Sequence, residues 1–244
     1  MYQSADDVFR EYENGAMDLD AEGYPDEELA QVRRLYENEY LLLAPISGDV
    51  HQQVGPVCYS FSVASMLRAT LKRLGREGQI RSHTDVVKKI QSAFQEGALN
   101  MSHGATVGAL HWVVATYPGL AMREVEDHSD AERILQMGER CLAMSFALSH
   151  MEWSAFSKFY RDADTRSTTL TRATLDDMVA AGAGAAWGEG SGGRHSVVAA
   201  GFERGNVTFK NSWGDHLGMR GIFHIEYRAM THVKFWDLIG KDEE

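Results

Sequence analysis

An α+β fold in two lobes follows from three patterns in this 244-residue chain. In the first half, apolar residues recur at three- and four-residue intervals, as on one face of a helix. In the second half comes a compact apolar run, "CLAMSFALS" at 141–149, and after it the pair "RHSVVAAGF" and "NVTFKNSW" around the turn "ERGN", which predicts a β-hairpin. Helices first and strands later indicate segregated layers rather than an alternating β-α order, with a boundary near residues 119–130.

Taken in order, residues 1–23 carry little periodic pattern. "DEELAQVRRLYENEYLLL" (26–43) reads as a helix with Leu29, Val32, Leu35 and Tyr36 on one side, and the loop "APISGDV" follows. Pro56 suits the start of the next helix, in which Val63, Met66, Leu67, Leu71 and Leu74 share a face that Gly75 closes. "SHTDVVKKIQSAFQEG" is a short amphipathic helix for which Ser82 or Thr84 is the cap. "TVGALHWVVATY" is a third, stopped by Pro118-Gly119. Beyond the boundary, "CLAMSFALS" is a buried strand, "LTRATLDDMVAAG" fits neither template cleanly, and "AAWGEGSGG" is a glycine-rich loop leading to the hairpin. "GIFHIEY" (221–227) alternates as a further strand. The expected division is therefore an acidic N-terminal extension (1–46), a helical lobe (47–125) and a β-rich lobe (126–244).

Composition narrows the function classes. Hydrophobic content of 44% and charged content of 24% are those of an ordinary globular protein with a sizeable core. Residues 1–40 hold twelve Asp or Glu against three Arg, so −9 of the net −11 lies there. That balance argues against nucleic acid or an anionic membrane as partner. The acidic arm is either a solvated segment or a regulatory, docking one. No apolar run is long enough to cross a bilayer. "MYQSADDVFREYENG" lacks the apolar core of a secretory signal, so the expectation is a cytoplasmic location or delivery into a host cell; a mature secreted form that has lost its leader would look the same. Two cysteines permit at most one disulfide, which fits a reducing compartment.

Thiol catalysis needs a nucleophile, a base, a group to orient the base, and donors for the developing oxyanion. Cys58 supplies a thiol in the first turn of a helix, where the dipole and free N–H groups favour a thiolate. His195 opens the first strand of the hairpin and Asn211, sixteen residues on, follows the second. A tight hairpin returns both to one end, where the Asn211 amide could fix the tautomer of His195. Cys141 in "ERCLAMSF" lacks a nearby base and reads as a core thiol. His103 and His111, and the pair His150 and Glu152, do not form a metal pattern, and "DHSDAE" reads as a solvated helix cap. No cofactor or metal is expected. Trp187, in the glycine-rich approach to His195, reads equally as cleft wall or as loop anchor.

"QQVGPVCYSFS" and "RHSVVAAGF…VTFKNSWGDHLGMRGIFHI" resemble the nucleophile segment and the histidine and asparagine segments of papain-like cysteine peptidases. The distances from Cys58, 137 residues to His195 and 153 to Asn211, agree with that signature. The resemblance implies a papain-like two-lobe fold, with a helical lobe, an antiparallel β-barrel-like lobe and the site in the cleft between. It implies Cys58 as nucleophile, His195 as acid/base, Asn211 as orienter, and Gln52 as a side-chain donor to the oxyanion. Trp213 would shield the Asn–His bond, Gly104 would hydrogen-bond an extended protein or peptide substrate, and Ser196 aligns with a substrate-pocket position. Acyl transfer or deamidation by the same triad, and a binding module that keeps only the cleft, are the alternatives. The chain departs from the family pattern at Gly55, Tyr59, Leu217 and Arg194. Leu217 stands where the family has a second tryptophan, and Arg194 places a cation beside the histidine.

Overall fold

The structure, a computed structural model, describes residues 57–79, 81–99, 104–137, 140–162, 164–165, 167–182, 193–213, 217–218 and 221–243. The acidic arm with its expected helix, Gln52, Pro56, His103 and the glycine-rich loop with Trp187 lie outside the described residues.

Helix α1, Cys58–Arg73, presents Val63, Met66, Leu67 and Leu71 to the core, each at most 1% exposed. Full burial of each such side chain is worth about 1.5–3 kcal/mol. It ends as the sequence predicts: Gly75 takes a positive φ of 65°, and the Arg76 N–H reaches back to the Leu71 carbonyl at 2.8 Å. Of the two candidate caps for α2, His83–Gln95, Ser82 takes the role, its hydroxyl accepting the Asp85 N–H at 3.1 Å. Helix α3, Ala105–Thr116, stops before Pro118-Gly119. These helices enclose one core, in which Leu67, Ile90 and Leu110 are buried together.

The remaining elements are β1 (Leu120–Val125), α4 (His128–Gln136), β2 (Leu142–Ala147), α5 (His150–Arg161), β3 (Thr169–Leu170), α6 (Arg172–Ala180), β4 (Arg194–Glu203), β5 (Asn206–Lys210), β6 (Ile222–Glu226) and β7 (Thr231–Gly240). The seven strands form one sheet in the order β1-β7-β2-β4-β5-β6-β3, antiparallel except where β3 meets β6. The β-barrel-like expectation is corrected here, because β1 and β3 are edges and the sheet of described residues is open. Strand β1, assigned by sequence to the helical lobe, pairs with β7 in this same sheet. "LTRATLDDMVAAG" resolves into α6, capped by Thr171, and "DHSDAE" into the start of α4, capped by Asp127. The β4–β5 turn is Arg204-Gly205, with φ of 52° and 79°; two left-handed residues match the twist of a two-residue hairpin, and glycine takes one of them without steric cost.

Strand β4 is the seam between the two cores. Side chains alternate across a strand, so Val197 and Ala199 enter the core beneath α4, α5 and the hairpin, while Val198 and Ala200 enter the core of the helical half. Helix α1 lies on the second face. The Ser62 hydroxyl donates to the Tyr59 carbonyl at 3.1 Å, so its lone pairs receive the Ser196 hydroxyl proton at 2.6 Å. Among the described residues no helix is long and apolar enough to cross a membrane.

Candidate active site

The alternation of β4 sends His195 and Ser196 to opposite faces. His195 stands opposite Phe146 of β2, and the two rings meet edge to face at 6.2 Å. The hairpin returns the chain as expected. Asn211, just past β5, is held by its own N–H to the Gly221 carbonyl at 2.9 Å. Its side-chain Oδ1 lies 2.8 Å from His195 Nε2 and also accepts the Ser212 N–H at 2.7 Å. A backbone N–H can only donate, so this atom is the amide oxygen. The proton between ring and amide therefore resides on His195 Nε2, which leaves Nδ1 as the basic ring nitrogen. Asn211 Nδ2 is buried without a partner among the described residues.

Cys58 is the first residue of α1 and is half-buried. Packing of α1 on β4 brings its thiol to the backbone N–H of Ser196, the residue after His195. Burial pushes the thiol above its ordinary value, and the N–H groups of Ser196, Tyr59 and Cys58 itself oppose that rise without cancelling it. The expectation that the helix terminus favours a thiolate is thus corrected: desolvation outweighs the N–H donors. Burial likewise pulls His195, 6% exposed, down to about 4, against the Asn211 hydrogen bond that favours its charged form. Arg194, the cation that the sequence places beside the histidine, is exposed; burial is the dominant cause of the His195 shift. Burial thus favours the neutral form of both groups.

Aromatic rings enclose the histidine. Trp213 lies over it with centroids 4.7 Å apart and planes 36° apart. Trp153, from the first turn of α5, meets His195 edge to face at 5.6 Å and Trp213 at the same distance. Sequence reasoning missed Trp153 and Phe146. The signal for Trp153 was legible in "SHME", a capping box that starts α5: Ser149 accepts the Glu152 N–H and Glu152 accepts the Ser149 N–H. Trp153, Phe156 and Tyr160 then follow at helical spacing, and Phe156 stacks on Phe223 at 5.5 Å. The Gly218 N–H donates to the Tyr160 carbonyl at 2.9 Å. Gly218 is required there, because at its φ of 62° a Cβ would sit 2.3 Å from the Ile222 carbonyl oxygen.

The other expected residues fall as follows. Ser196 faces α1 through its bond to Ser62. Gly104 heads α3, exposed, with φ 96° and, among the described residues, open space where a Cβ would stand. A small cavity of about 20 Å³, room for one water, lies between α1 and the hairpin, lined by Ser62, Ser65, His83, Ser196, Lys210 and Asn211 among others. Cys141 is 4% exposed and its thiol is pushed up to about 12 by burial and by Asp237. No group of three or more His, Cys, Asp or Glu is arranged as a metal would need among the described residues.

No family model matches the chain and no curated protein is similar to it in sequence. Among solved structures, the chain is similar to xylellain, a cysteine protease from Xylella fastidiosa, at 15% identity and a TM-score of 0.32, over 52% of this chain. That match spans 42% of the xylellain chain. It is also similar to the Carica candamarcensis cysteine protease CMS1MS2, solved in complex with E-64, at 14% identity and a TM-score of 0.42, over 78% of this chain and 92% of that one.

Proposed function

We propose that the chain is a papain-like cysteine peptidase that hydrolyses peptide bonds through Cys58, His195 and Asn211. The observation that carries this reading is the His195–Asn211 bond, whose polarity leaves the basic lone pair on Nδ1, together with the Cys58 thiol at the N–H of Ser196, the next residue along the strand. The substrate is a protein or peptide, and Gly104, with no described residue within 4 Å of where a Cβ would stand, is the residue offered to an extended chain.

Because burial favours the neutral thiol and the neutral imidazole, the first step is coupled proton transfer and attack. The Cys58 proton passes to His195 Nδ1 as sulfur bonds to the carbonyl carbon, and the carbonyl oxygen becomes an oxyanion. The Cys58 N–H and the Gln52 amide are the proposed donors to it. Collapse of the adduct breaks the C–N bond, and His195 returns its proton to the leaving amine. Water, deprotonated by the same nitrogen, then hydrolyses the thioester and restores the thiol. Asn211 keeps the ring in one tautomer throughout, and Trp213 keeps water from their bond.

The test is mass analysis of a peptide library incubated with the wild-type chain and with Cys58→Ala. Cleavage products from the wild type alone are expected. Cleavage by the variant would overturn the assignment, and deamidated or amine-transferred products without chain cleavage would replace peptidase with one of the alternatives on the same triad.

A further inference from the structure

The family pattern expects a second tryptophan where this chain has Leu217, and Leu217 is buried in the core. The aromatic wall of His195 is nevertheless double, because α5 supplies a ring from elsewhere in the chain. Trp153 makes two kinds of contact. Its indole Nε1–H donates to the Gly193 carbonyl at 3.0 Å, two residues before His195. Its ring packs edge to face on His195, Trp213 and Phe156 at 5.6, 5.6 and 5.4 Å. The helix turn beneath it is pinned by the capping box and by Arg172, whose guanidinium holds Glu152 at 2.6 Å.

We infer that Trp153 is a positioning residue for His195: its N–H anchors the foot of the histidine strand, and its ring closes one flank of the imidazole against water. The rate consequence rests on the proposed peptidase reading; the titration consequence does not. The groups around His195 make the readout clean. Among the described residues, strand β2 contributes Phe146 and β5 leads to the neutral Asn211, while the ionisable Cys58 of α1 lies at the N–H of the next strand residue, Ser196. Arg194 is exposed, and Glu152 is engaged by Arg172 and the Ser149 N–H.

The experiment compares the full chain with Trp153→Ala and Trp153→Phe, reading the His195 titration by NMR, kcat, KM and the pH profile of hydrolysis, with thermal melts alongside. In Trp153→Ala, water reaches the ring, so its titration and the acid limb of activity both move up by about one unit or more. kcat falls about tenfold with KM nearly unchanged, because the loss is of geometry rather than of substrate contacts. Trp153→Phe keeps the ring and loses the N–H, so kcat falls about threefold while the titration stays near wild type. Folded variants with wild-type titration and wild-type kcat would overturn the inference. Should Trp153→Ala not fold, wild-type kcat in Trp153→Phe overturns it alone. A wild-type chain without hydrolysis would sink the peptidase reading, and the titration would still decide the role of Trp153.

Discussion

The two faces of β4 hold regions of different physical character. On one face, His195 is wrapped by Trp213, Trp153 and Phe146 and bonded to Asn211. On the other, Ser196, Val198 and Ala200 meet α1 through packing and the Ser62–Ser196 bond. The proposed base belongs to an aromatic core and the proposed nucleophile to a helix laid across the opposite face. The backbone of a single strand registers them, so the site is only as well defined as the seat of α1 on β4. The two cysteines sharpen the contrast. Both thiols are pushed up by burial, yet Cys58 is only half-buried, beside the Ser196 N–H, while Cys141 is sealed in the core.

The largest expected effect comes from removing the base. His195→Gln should lower kcat/KM by at least about a thousandfold, since general-base and general-acid steps both depend on the ring. The same variant tests the electrostatics of its pocket. His195 titrates near 4 when folded, below the ordinary value of about 6.5, so the unfolded chain gains the proton first as pH falls. Its contribution is complete above about pH 6.5 and is lost progressively down to about pH 4, by about 3 kcal/mol in all. Denaturant melts across this range should therefore flatten in His195→Gln, with His224, also lowered by burial, supplying part of the remaining slope. An unchanged slope would show that the pocket is wetter than its aromatic walls imply.

Next in size, Asn211→Ala should cost about one to two powers of ten in kcat/KM, because the ring loses the acceptor that fixes its tautomer. On the opposite face, Ser62→Ala should lower stability by about 1 kcal/mol, leaving the Ser196 hydroxyl without its acceptor, and should change hydrolysis by less than Asn211→Ala does. If Ser62→Ala were the more damaging to rate, the seat of α1 rather than the imidazole tautomer would control the site.

Much of this was legible in the residues. The spacing of Val63, Met66, Leu67 and Leu71, the stop at Gly75 and the Arg204-Gly205 turn are local signals, set by helical period and φ preference, and the structure follows them. The meeting of His195 and Asn211 was legible because a two-residue turn fixes register. Less accessible were β7, "THVKFWDLIG", inserted between β1 and β2, and the ring of Trp153 on His195. Both depend on long-range pairing that no local period encodes. The burial that raises the Cys58 thiol was illegible for a related reason: a helix terminus is visible in sequence, whereas burial is a property of the packed seam.

The most direct measurement of the central claim is site-resolved labelling of the full chain by a thiol-directed peptidyl epoxide at neutral pH, in the wild type and in His195→Gln. Selective modification of Cys58 over Cys141, lost when His195 is replaced, is the expected result. Equal labelling of the two cysteines, or Cys58 labelling indifferent to His195, would contradict the account.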